Sequence, residues 1–470
     1  MKMGNAVDVK PVLAAIEQNF GQSLERLKTL LRIPSVSADP AHDADCAKAA
    51  KATCALLKEM GFTADLYDTP AHPVVIGRLD APQAAGPLAH ILFYGHYDVQ
   101  PATPLDLWKS PPFEPSVRRD VDDIERIYAR GSSDDKGQFM TFLEATRNWL
   151  KVHGSLPFHL TVLIEGDEES DGSHLDAFLR KHKKLLKADL AMVCDTELWD
   201  AKTPAITTRL RGVLADEVVI TGPSVDLHSG AYGGPASNPI HVLTRILGEL
   251  RDKKGRVQIP GFYDGVPKIS AKQRSAWAGL KFNSAKFLKN VGLSEPQGEQ
   301  GYGVLEQIWA RPTAEVNGIE GGHTGAGCKT VIPSRAMAKL TFRLVGAQNP
   351  MEIRKNFRKF VTSRLPKDCS ASFDGAGGDS SAVTIPETAP WLAKASAALK
   401  AEWGRAPALI GGGGSIPIVE AFQRVLGMES LLTGFAQDSD GAHSPNEKYD
   451  LECYRKGQRS WARIIAALAR

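Results

Sequence analysis

Acidic and histidine side chains are concentrated in five short segments, at least four of which follow apolar runs typical of buried strands. The segments are GHYD at 95–98, SSDDKG at 132–137, EGDEES at 165–170, CDTE at 194–197 and DGAHSPNE at 440–447. Open α/β sheets bind their ligands at the carboxyl ends of the strands. We therefore expect these loops to bring together side chains from distant parts of the chain: His96, Asp98, Asp134, Asp135, Glu168, Glu169, Asp195 and His443.

Two imidazoles among several carboxylates form a mixed nitrogen and oxygen donor set, which suits zinc, manganese or cobalt. One metal ion needs about four donors, so this many side chains permits two ions that share a bridging carboxylate. An extended backbone turns His96 and Asp98 to one face, where Asp98 can accept a hydrogen bond from the imidazole. Adjacent Glu168 and Glu169 should point in different directions. One then binds metal, while the other accepts a proton from a metal-bound water whose pKa has fallen toward about 7.

Each segment taken alone also fits a structural role. A histidine after a strand is more often a hydrogen-bonded structural residue, and a pair of glutamates usually lies in a solvated turn. Asp134 or Asp135 is also suited to cap a helix that begins near residue 138. The presence of five such segments in one chain favours the metal site.

Alternating helices and strands are predicted to position these loops. Apolar residues recur every three or four residues between 11 and 31, which predicts an amphipathic helix. Strands that alternate with helices indicate a mainly parallel sheet covered by helices. Short apolar runs predict strands at 91–94, 160–164, 190–193 and 430–435, and helical patterns cover 138–153, 386–403 and 450–469.

The pattern changes between about 208 and 383. Half-exposed strands are predicted at 217–221 and 339–345, among helical patterns at 238–252 and 350–364. We therefore predict an α/β fold in which a discontinuous domain of residues 1–207 and 384–470 carries the polar loops. The inserted α+β domain occupies residues 208–383.

The composition excludes several classes of protein. The 470 residues are 43% hydrophobic and 24% charged, which is typical of a globular protein. Subtracting 54 acidic from 57 basic residues leaves +3, so charge suggests no nucleic-acid or membrane partner. The six cysteines are scattered, which predicts neither a thiolate zinc site nor a disulfide framework. Without a signal-peptide core or a membrane span, we expect a cytoplasmic protein with a small substrate.

These motifs, in this order, resemble the carnosinase, aminoacylase and carboxypeptidase-G family of dinuclear zinc metallopeptidases, and most closely its carnosinase-like dipeptidases. The resemblance spans about residues 90 to 450. It implies a homodimer with two divalent metal ions, zinc first and manganese or cobalt as alternatives, and an inserted domain that serves as lid and dimerisation domain. The motifs that carry it are ILFYGHYDVQP, WKSPPFEP, IYARGSSDDKG, EGDEES, the Asp195 loop, VDLHSGAYGG, KTVIPSRAMAKLTFRL, GGSIP and GAHSPNEK.

The resemblance also implies the metal ligands. His96 and Asp195 would bind one ion, and Glu169 and His443 would bind the other. Asp134 would bridge the two ions.

Catalytic and substrate-binding roles follow from the same resemblance. Asp98 would orient His96, and Glu168 would be the general base that later returns its proton to the leaving amine. His228 would reach the site of the partner subunit and polarise the scissile carbonyl. Arg343 would bind a substrate carboxylate, helped by Thr330, Gly414 and Ser415.

Two of these residues also fit structural roles, and two segments depart from the family pattern. His228 also suits a turn cap, and Arg343 suits a solvated strand face, although a bidentate guanidinium matches a carboxylate well. Gly411–Gly414 replaces a stretch in which the carnosinase-like branch has an acidic residue for the free amino terminus. Ala376 stands where that branch often has histidine. Both changes favour a bulkier or amino-blocked substrate.

Other enzyme classes lack their motifs. In GGHTGAGCKT, Cys328 separates the glycine from the lysine, which a phosphate-binding P-loop does not allow. No strand-following G-x-S-x-G and no helical H-E-x-x-H is present. A catalytically silent metal-binding protein is the non-enzyme alternative, but a structural site is closed and needs no base such as Glu168.

We therefore predict metal-dependent hydrolysis of the amide bond of dipeptides or short peptides with a free carboxyl end. The alternative is deacylation of N-acyl amino acids or carboxypeptidase action on amino-blocked substrates.

Overall fold

The computed structural model of the chain describes residues 7–82, 88–170, 172, 174–375 and 379–469, so Ala376 lies outside the described residues. The chain divides into two compact units. The first contains the described part of Met1–Thr208, Ile385–Ile410 and Ala421–Arg470, and the second contains the described part of Arg209–Thr384 and Gly411–Glu420. Residues 411–420 therefore lie with the second unit, whereas the sequence pattern suggested the first.

Packing within the second unit explains the place of this segment. Arg211 Nε donates a hydrogen bond of 2.7 Å to the carbonyl oxygen of Gly413. A Cβ atom added at Gly411 would lie 2.7 Å from Trp309 Cβ, so this glycine permits a close approach.

Helices and strands alternate along the described chain. The helices are α1 Lys10–Leu31, α2 Asp43–Glu59, α3 Lys136–His153, α4 Leu175–Lys181, α5 Lys183–Leu186, α6 Ser229–Tyr232, α7 Pro239–Gly248, α8 Ala271–Gly279, α9 Ser284–Asn290, α10 Val304–Ala310, α11 Pro350–Thr362, α12 Pro390–Trp403, α13 Pro417–Ala421 and α14 Leu451–Leu468. The strands are β1 Thr63–Tyr67, β2 Val74–Leu79, β3 His90–His96, β4 Ser116–Arg119, β5 Glu125–Tyr128, β6 His159–Glu165, β7 Leu190–Val193, β8 Ala205–Leu210, β9 Gly212–Thr221, β10 Leu227–His228, β11 Thr313–Gly321, β12 Val331–Ile332, β13 Arg335–Leu344, β14 Ser370–Phe373, β15 Val383–Thr384, β16 Ala408–Gly412, β17 Glu429–Leu432 and β18 Lys448–Asp450.

The large sheet of the first unit has a parallel centre. Its strands run in the order β1-β2-β6-β3-β7-β17-β8, and β6, β3, β7 and β17 are mutually parallel neighbours. The strands β1 and β2 add antiparallel pairs at one side, and β8 adds one at the other. The central strands are buried along nearly their whole length, which accounts for their continuous apolar runs. The predicted α/β fold is confirmed.

Helices cover this sheet in layers: α2 and α3 contact its strands, and α1 and α14 pack against α3. The predicted first helix forms as α1, whose residues Val12, Ile16 and Leu27 are fully buried. The helix α3 ends at His153 and is capped by Gly154, which has a left-handed φ of 74°. Its Phe142 stacks on Phe93 of β3 with ring centroids 3.8 Å apart. The core therefore fixes the sheet and α3 relative to each other, and both carry site loops.

The second unit is an α+β sheet structure. Its antiparallel strands run in the order β11-β13-β9-β14, and α7 and α11 contact this sheet. Burial alternates residue by residue along β9 and β13, as their sequences predict. The buried side faces a core that includes Leu214, Phe342 and Phe357.

Within the described residues, no helix is both long and apolar enough to span a membrane.

Candidate metal centre and substrate-binding residues

The parallel strands of the first unit deliver most of the predicted metal ligands to one edge of the sheet. His96 is the last residue of β3 and pairs in register with Glu165, the last residue of β6. Glu169 follows β6, Asp195 follows β7, and His443 lies in the segment after β17. Asp134 arrives differently, from the loop between β5 of a small three-stranded sheet and α3.

All five predicted ligands come together in two groups that share Asp134. The donor atoms of His96, Asp134 and Asp195 lie within 4.8 Å of one another, and so do those of Asp134, Glu169 and His443. Asp134 Oδ1 is 3.2 Å from His96 Nε2, and Asp134 Oδ2 is 3.0 Å from His443 Nε2. His443 Nε2 also lies 3.2 Å from Glu169 Oε1. The two oxygens of one carboxylate thus face different histidines, as a bridging ligand requires.

His96 is held from behind by Asp98, and both side chains are fully buried. The imidazole Nδ1 is 3.1 Å from the backbone oxygen of Asp98 and 3.3 Å from its Oδ1. The hydrogen bond therefore goes to the main chain, with the carboxylate alongside. Asp98 Oδ2 accepts hydrogen bonds from Ser37 Oγ at 2.6 Å and from the Glu169 backbone at 2.9 Å. Asp98 thus connects a histidine of one group to a glutamate of the other.

Asp135 occupies the N-cap position of α3, but its side chain does not cap the helix. Its Oδ2 accepts a hydrogen bond of 3.1 Å from the His96 backbone instead. The N-cap interpretation is therefore wrong for the side chain of Asp135. Neighbouring Asp134 contacts His96 and His443, as described above.

A buried glutamate fixes the loop that carries Asp134. Glu447 Oε1 accepts hydrogen bonds from the backbone amides of Ser133 and Asp134, at 2.8 and 3.1 Å. Glu447 Oε2 accepts from Gly131 N and from Arg130 Nη1, both at 2.8 Å. Four donors from the five-residue segment 130–134 converge on this one carboxylate, which leaves the loop little freedom.

Glu168 and Glu169 are oriented differently, as expected. The side chain of Glu169 is only 4% exposed and contacts His443. Its Oε2 accepts a hydrogen bond of 2.8 Å from Gln100 Nε2. Glu168 is half-buried, and burial raises its pKa well above the ordinary value, opposed by His96 and reinforced by Asp195. Such a carboxylate is more basic than an exposed one and suited to accept a proton.

The electrostatics of the cluster reflect many acids around two histidines. Burial raises the pKa of Asp195 to about 7, and the Asp134 carboxylate reinforces this shift. Hydrogen bonds to Asp134 and Glu169 raise the pKa of His443 to about 10. Burial opposes ionisation of Asp134, but His443 and His96 hold its pKa below the ordinary range. A divalent cation would replace these shared protons, and the donor chemistry of two imidazoles and three carboxylates fits it.

The second unit carries the remaining predicted residues in two places. His228 and Thr330 lie together at the β10–β12 ribbon, where Ser229 N donates 3.0 Å to the Thr330 carbonyl oxygen. His228 Nδ1 accepts a hydrogen bond of 3.0 Å from Gly230 N and so caps α6. The capping role that the sequence also allowed is therefore present. Since Nδ1 accepts, a neutral ring carries its proton on Nε2, which leaves the exposed side of the ring a donor.

Arg343 and Ser415 meet elsewhere in this unit. Arg343 is half-buried rather than solvated, and its Nη1 donates a hydrogen bond of 3.3 Å to Ser415 Oγ. Burial lowers the pKa of Arg211 to about 10, with the charge of Arg343 adding to the effect. Two neighbouring guanidinium groups favour an anion. Gly414 is exposed next to Ser415.

With this geometry in place, similarity to known proteins decides the family. A sequence model of peptidase family M20/M25/M40 matches residues 92–467. The chain belongs to this family. It is a metallopeptidase, and its resemblance to this family, noted from the motifs, is confirmed.

Individual relatives match this M20 peptidase over nearly its whole length. It is 31% identical to the Cys-Gly metallodipeptidase of Candida albicans, over 96% of this chain and 95% of that protein. The structure of the di-peptidase Dug1p from Saccharomyces cerevisiae matches with a TM-score of 0.80 and 27% identity, over 99% of both chains. That of Sso-CP2, an M20 family metallo-carboxypeptidase from Sulfolobus solfataricus, matches with a TM-score of 0.82 and 29% identity, over 95% of this chain and 99% of that one.

Several residues that support the site in the M20 peptidase were missed by sequence reasoning. Glu447 and Gln100 stand inside quoted motifs, but nothing in their spacing reveals which backbone amides or side chains they contact. Arg211 follows β8 directly, and a lone arginine at a strand end carries no signal of a second arginine 132 positions later. These contacts depend on tertiary structure.

Proposed function

We propose that this M20 peptidase hydrolyses the amide bond of dipeptides that have a free carboxyl end, with two divalent metal ions. The observation that supports it most directly is the pair of three-residue donor groups joined by Asp134. In this proposal, His96 and Asp195 hold one ion and Glu169 and His443 hold the other. Zinc suits this mixed donor set, and manganese or cobalt are the alternatives.

The bound ions would acidify a water molecule and polarise the scissile carbonyl. Glu168 accepts the proton of the attacking water and later returns it to the leaving nitrogen. Its raised pKa makes it a competent base and then a competent acid at the same carboxylate. Asp98 keeps His96 in a fixed orientation during the reaction.

His228 is proposed to donate a hydrogen bond from Nε2 to the oxygen that becomes negatively charged. A donor of this kind is often worth about 3 kcal/mol of transition-state stabilisation. The proposed donor comes from the partner subunit of a homodimer. An antiparallel edge supports a dimer, because β11 pairs only with β13 among the described strands and exposes Val316 and Ile319.

Arg343 is proposed to bind the substrate carboxylate, together with Thr330, Gly414 and Ser415. A half-buried guanidinium beside a hydroxyl and a glycine-rich backbone supports this role. In the proposed division of labour, residues 1–207 and 384–470 form the catalytic domain and 208–383 the lid and dimerisation domain.

A carboxypeptidase or N-acyl amino acid deacylase is the second candidate. Two observations favour it: Gly411–Gly414 provides no acidic side chain for a free amine, and Sso-CP2 is named a metallo-carboxypeptidase. The Candida relative, named for Cys-Gly, favours the dipeptidase. We also propose a cytoplasmic location, which six unpaired cysteines support and cell fractionation would test.

One experiment separates these candidates. Free dipeptides, amino-blocked dipeptides and N-acetyl amino acids are assayed with the metal content of the same sample measured. We expect Glu168→Ala to retain the metal and to lose activity by about 10²- to 10⁴-fold. The control variant Glu452→Ala, on the surface of α14, should keep its activity. Preference for blocked substrates would select the second candidate, and near-normal turnover of Glu168→Ala would reject the assigned base.

A further inference from the structure

The loop that carries Glu168 is hydrogen-bonded, through the preceding residue Asp167, to a histidine that belongs to neither donor group. We propose that His72 is a positioning residue, which holds the general base in place through Asp167. This inference rests on the proposed role of Glu168.

The contact between His72 and Asp167 is close and buried. His72 Nδ1 lies 2.5 Å from Asp167 Oδ1, and the His72 backbone donates 2.9 Å to Asp167 Oδ2. The two residues are 8% and 2% exposed. Because an ionised carboxylate only accepts, Nδ1 must carry the proton. The same histidine thus binds both oxygens of Asp167, once with its ring and once with its main chain.

His72 is itself held in place. Its carbonyl oxygen accepts a hydrogen bond of 2.7 Å from Thr69 Oγ1, and its Nε2 lies 3.3 Å from Asp43 Oδ1. His174 Nε2 lies 3.2 Å from Asp167 Oδ2 and approaches the carboxylate as well. The Asp167 carboxylate is therefore held by several protein groups and does not lie in a solvated turn.

Both neighbours of Glu168 in the chain are held by hydrogen bonds. On one side is Asp167, and on the other the Glu169 amide donates 2.9 Å to Asp98 Oδ2. One residue earlier, a Cβ added to Gly166 would lie 2.1 Å from Tyr97 Oη. The Tyr97 hydroxyl is in turn bonded to the Pro73 carbonyl at 2.7 Å, directly after His72. The close contact of Gly166 with Tyr97 therefore blocks a shift of the loop toward Tyr97.

The base depends on this backbone support. Among the described residues, no side chain or amide forms a hydrogen bond with the Glu168 carboxylate that would orient it independently. A general base must lie within about 2.6–3.2 Å of the proton that it removes. A displacement of about 1 Å can cost about 10²-fold in rate. Loosening Asp167 should therefore reduce turnover without removing any metal ligand.

The test compares kcat, KM and metal content of the full-length enzyme on its best substrate. We expect His72→Ala to lower kcat by about 10- to 100-fold, the range typical of residues that orient an active group. KM and the number of bound metal ions should not change. His72→Asn, whose amide can replace the Nδ1 donor, should recover most of the loss. The matched control is His90→Ala, at the opposite end of β3 from His96, where a histidine is also partly buried.

A double-mutant cycle separates positioning from general destabilisation. If His72 acts through Asp167, adding His72→Ala to Asp167→Asn should reduce kcat little further, because the two residues act as one unit. Additive losses, equal impairment in His72→Asn and His72→Ala, or loss of metal from His72→Ala would each overturn the inference.

A readout without substrate keeps this inference apart from the proposed function. Amide hydrogen exchange of residues 165–170 should become faster in His72→Ala and stay unchanged in His90→Ala. Unchanged exchange would overturn the anchoring, whatever the enzyme hydrolyses. Wild-type enzyme that is inactive on the whole substrate panel would instead reject the proposed function.

Discussion

Replacing Glu447 by glutamine should destabilise the first unit and misplace Asp134. The carboxylate is fully buried and accepts hydrogen bonds from Arg130 Nη1 and from three backbone amides. Glutamine has nearly the same shape but only one acceptor oxygen. Whichever way the amide turns, its NH₂ group faces two donors that the second oxygen had satisfied.

The size of the effect follows from these contacts. A buried donor that loses its acceptor costs about 1–3 kcal/mol, and two donors lose theirs. Arg130, whose side chain is 1% exposed, also loses its counterion. Breaking a buried ion pair from one side typically costs about 3–5 kcal/mol. Because these terms overlap, we expect the free energy of unfolding to fall by about 3–5 kcal/mol.

Urea unfolding of the metal-free protein measures this loss of stability. Metal titration of the same variant measures its metal affinity, which should fall if Asp134 is displaced. Glu452→Gln is the matched control, because Glu452 has a 59% exposed side chain and pairs only weakly, at 3.8 Å, with Lys456. It should change stability by less than about 0.5 kcal/mol. A Glu447→Gln protein with the unfolding midpoint and metal affinity of the wild type would refute the reasoning.

Three further predictions concern the proposed substrate contact, the protons of the metal centre and the proposed dimer. Arg343→Lys should raise KM for substrates with a free carboxyl end and leave carboxamide substrates unaffected, because a bidentate contact is lost; equal effects on both substrates, measured by steady-state kinetics, would contradict the carboxylate role. Metal affinity should fall by about tenfold per pH unit between about pH 10 and pH 7, where His443 (pKa about 10) must lose its proton to bind, and more steeply below about pH 7, where Asp195 (pKa about 7) must lose one as well; chelator competition that gives a pH-independent affinity would exclude this coupling. His228→Ala should slow turnover, and mixing it with Glu168→Ala under subunit exchange should restore part of the activity; no recovery despite demonstrated exchange would place His228 outside the partner's site.

Sequence reasoning recovered the parts of the fold that repeat a local pattern. The continuous apolar run at 190–193 became β7, and the stripe between 11 and 31 became α1. Because strand ends are visible in such runs, the loops after β3, β6 and β7 could be identified as neighbours. The sheet topology brings the donors that follow its strands together, and the Asp134 loop joins them from a smaller sheet.

Contacts that depend on tertiary packing were not predictable. Asp135 looked like a helix cap, but its carboxylate found the His96 amide, which only the folded sheet presents. The packing of segment 411–420 within the second unit was not predictable, because a run of glycines has no hydrophobic pattern and its position depends on Trp309 and Arg211. Family resemblance supplied the proposed role of Arg343, since a strand arginine by itself predicts only a surface position.

The bond between Glu447 and the Asp134 loop spans more than 300 positions of the chain. During synthesis, a ribosome finishes Asp134, His96 and Asp195 long before His443 and Glu447 emerge. A nascent polypeptide that has not yet reached residue 443 can form much of the sheet, but it offers one donor group at most, on an untethered loop. We expect metal loading to follow the synthesis of residues 443 and 447, because the second donor group and the bonds that fix the Asp134 loop cannot form before then.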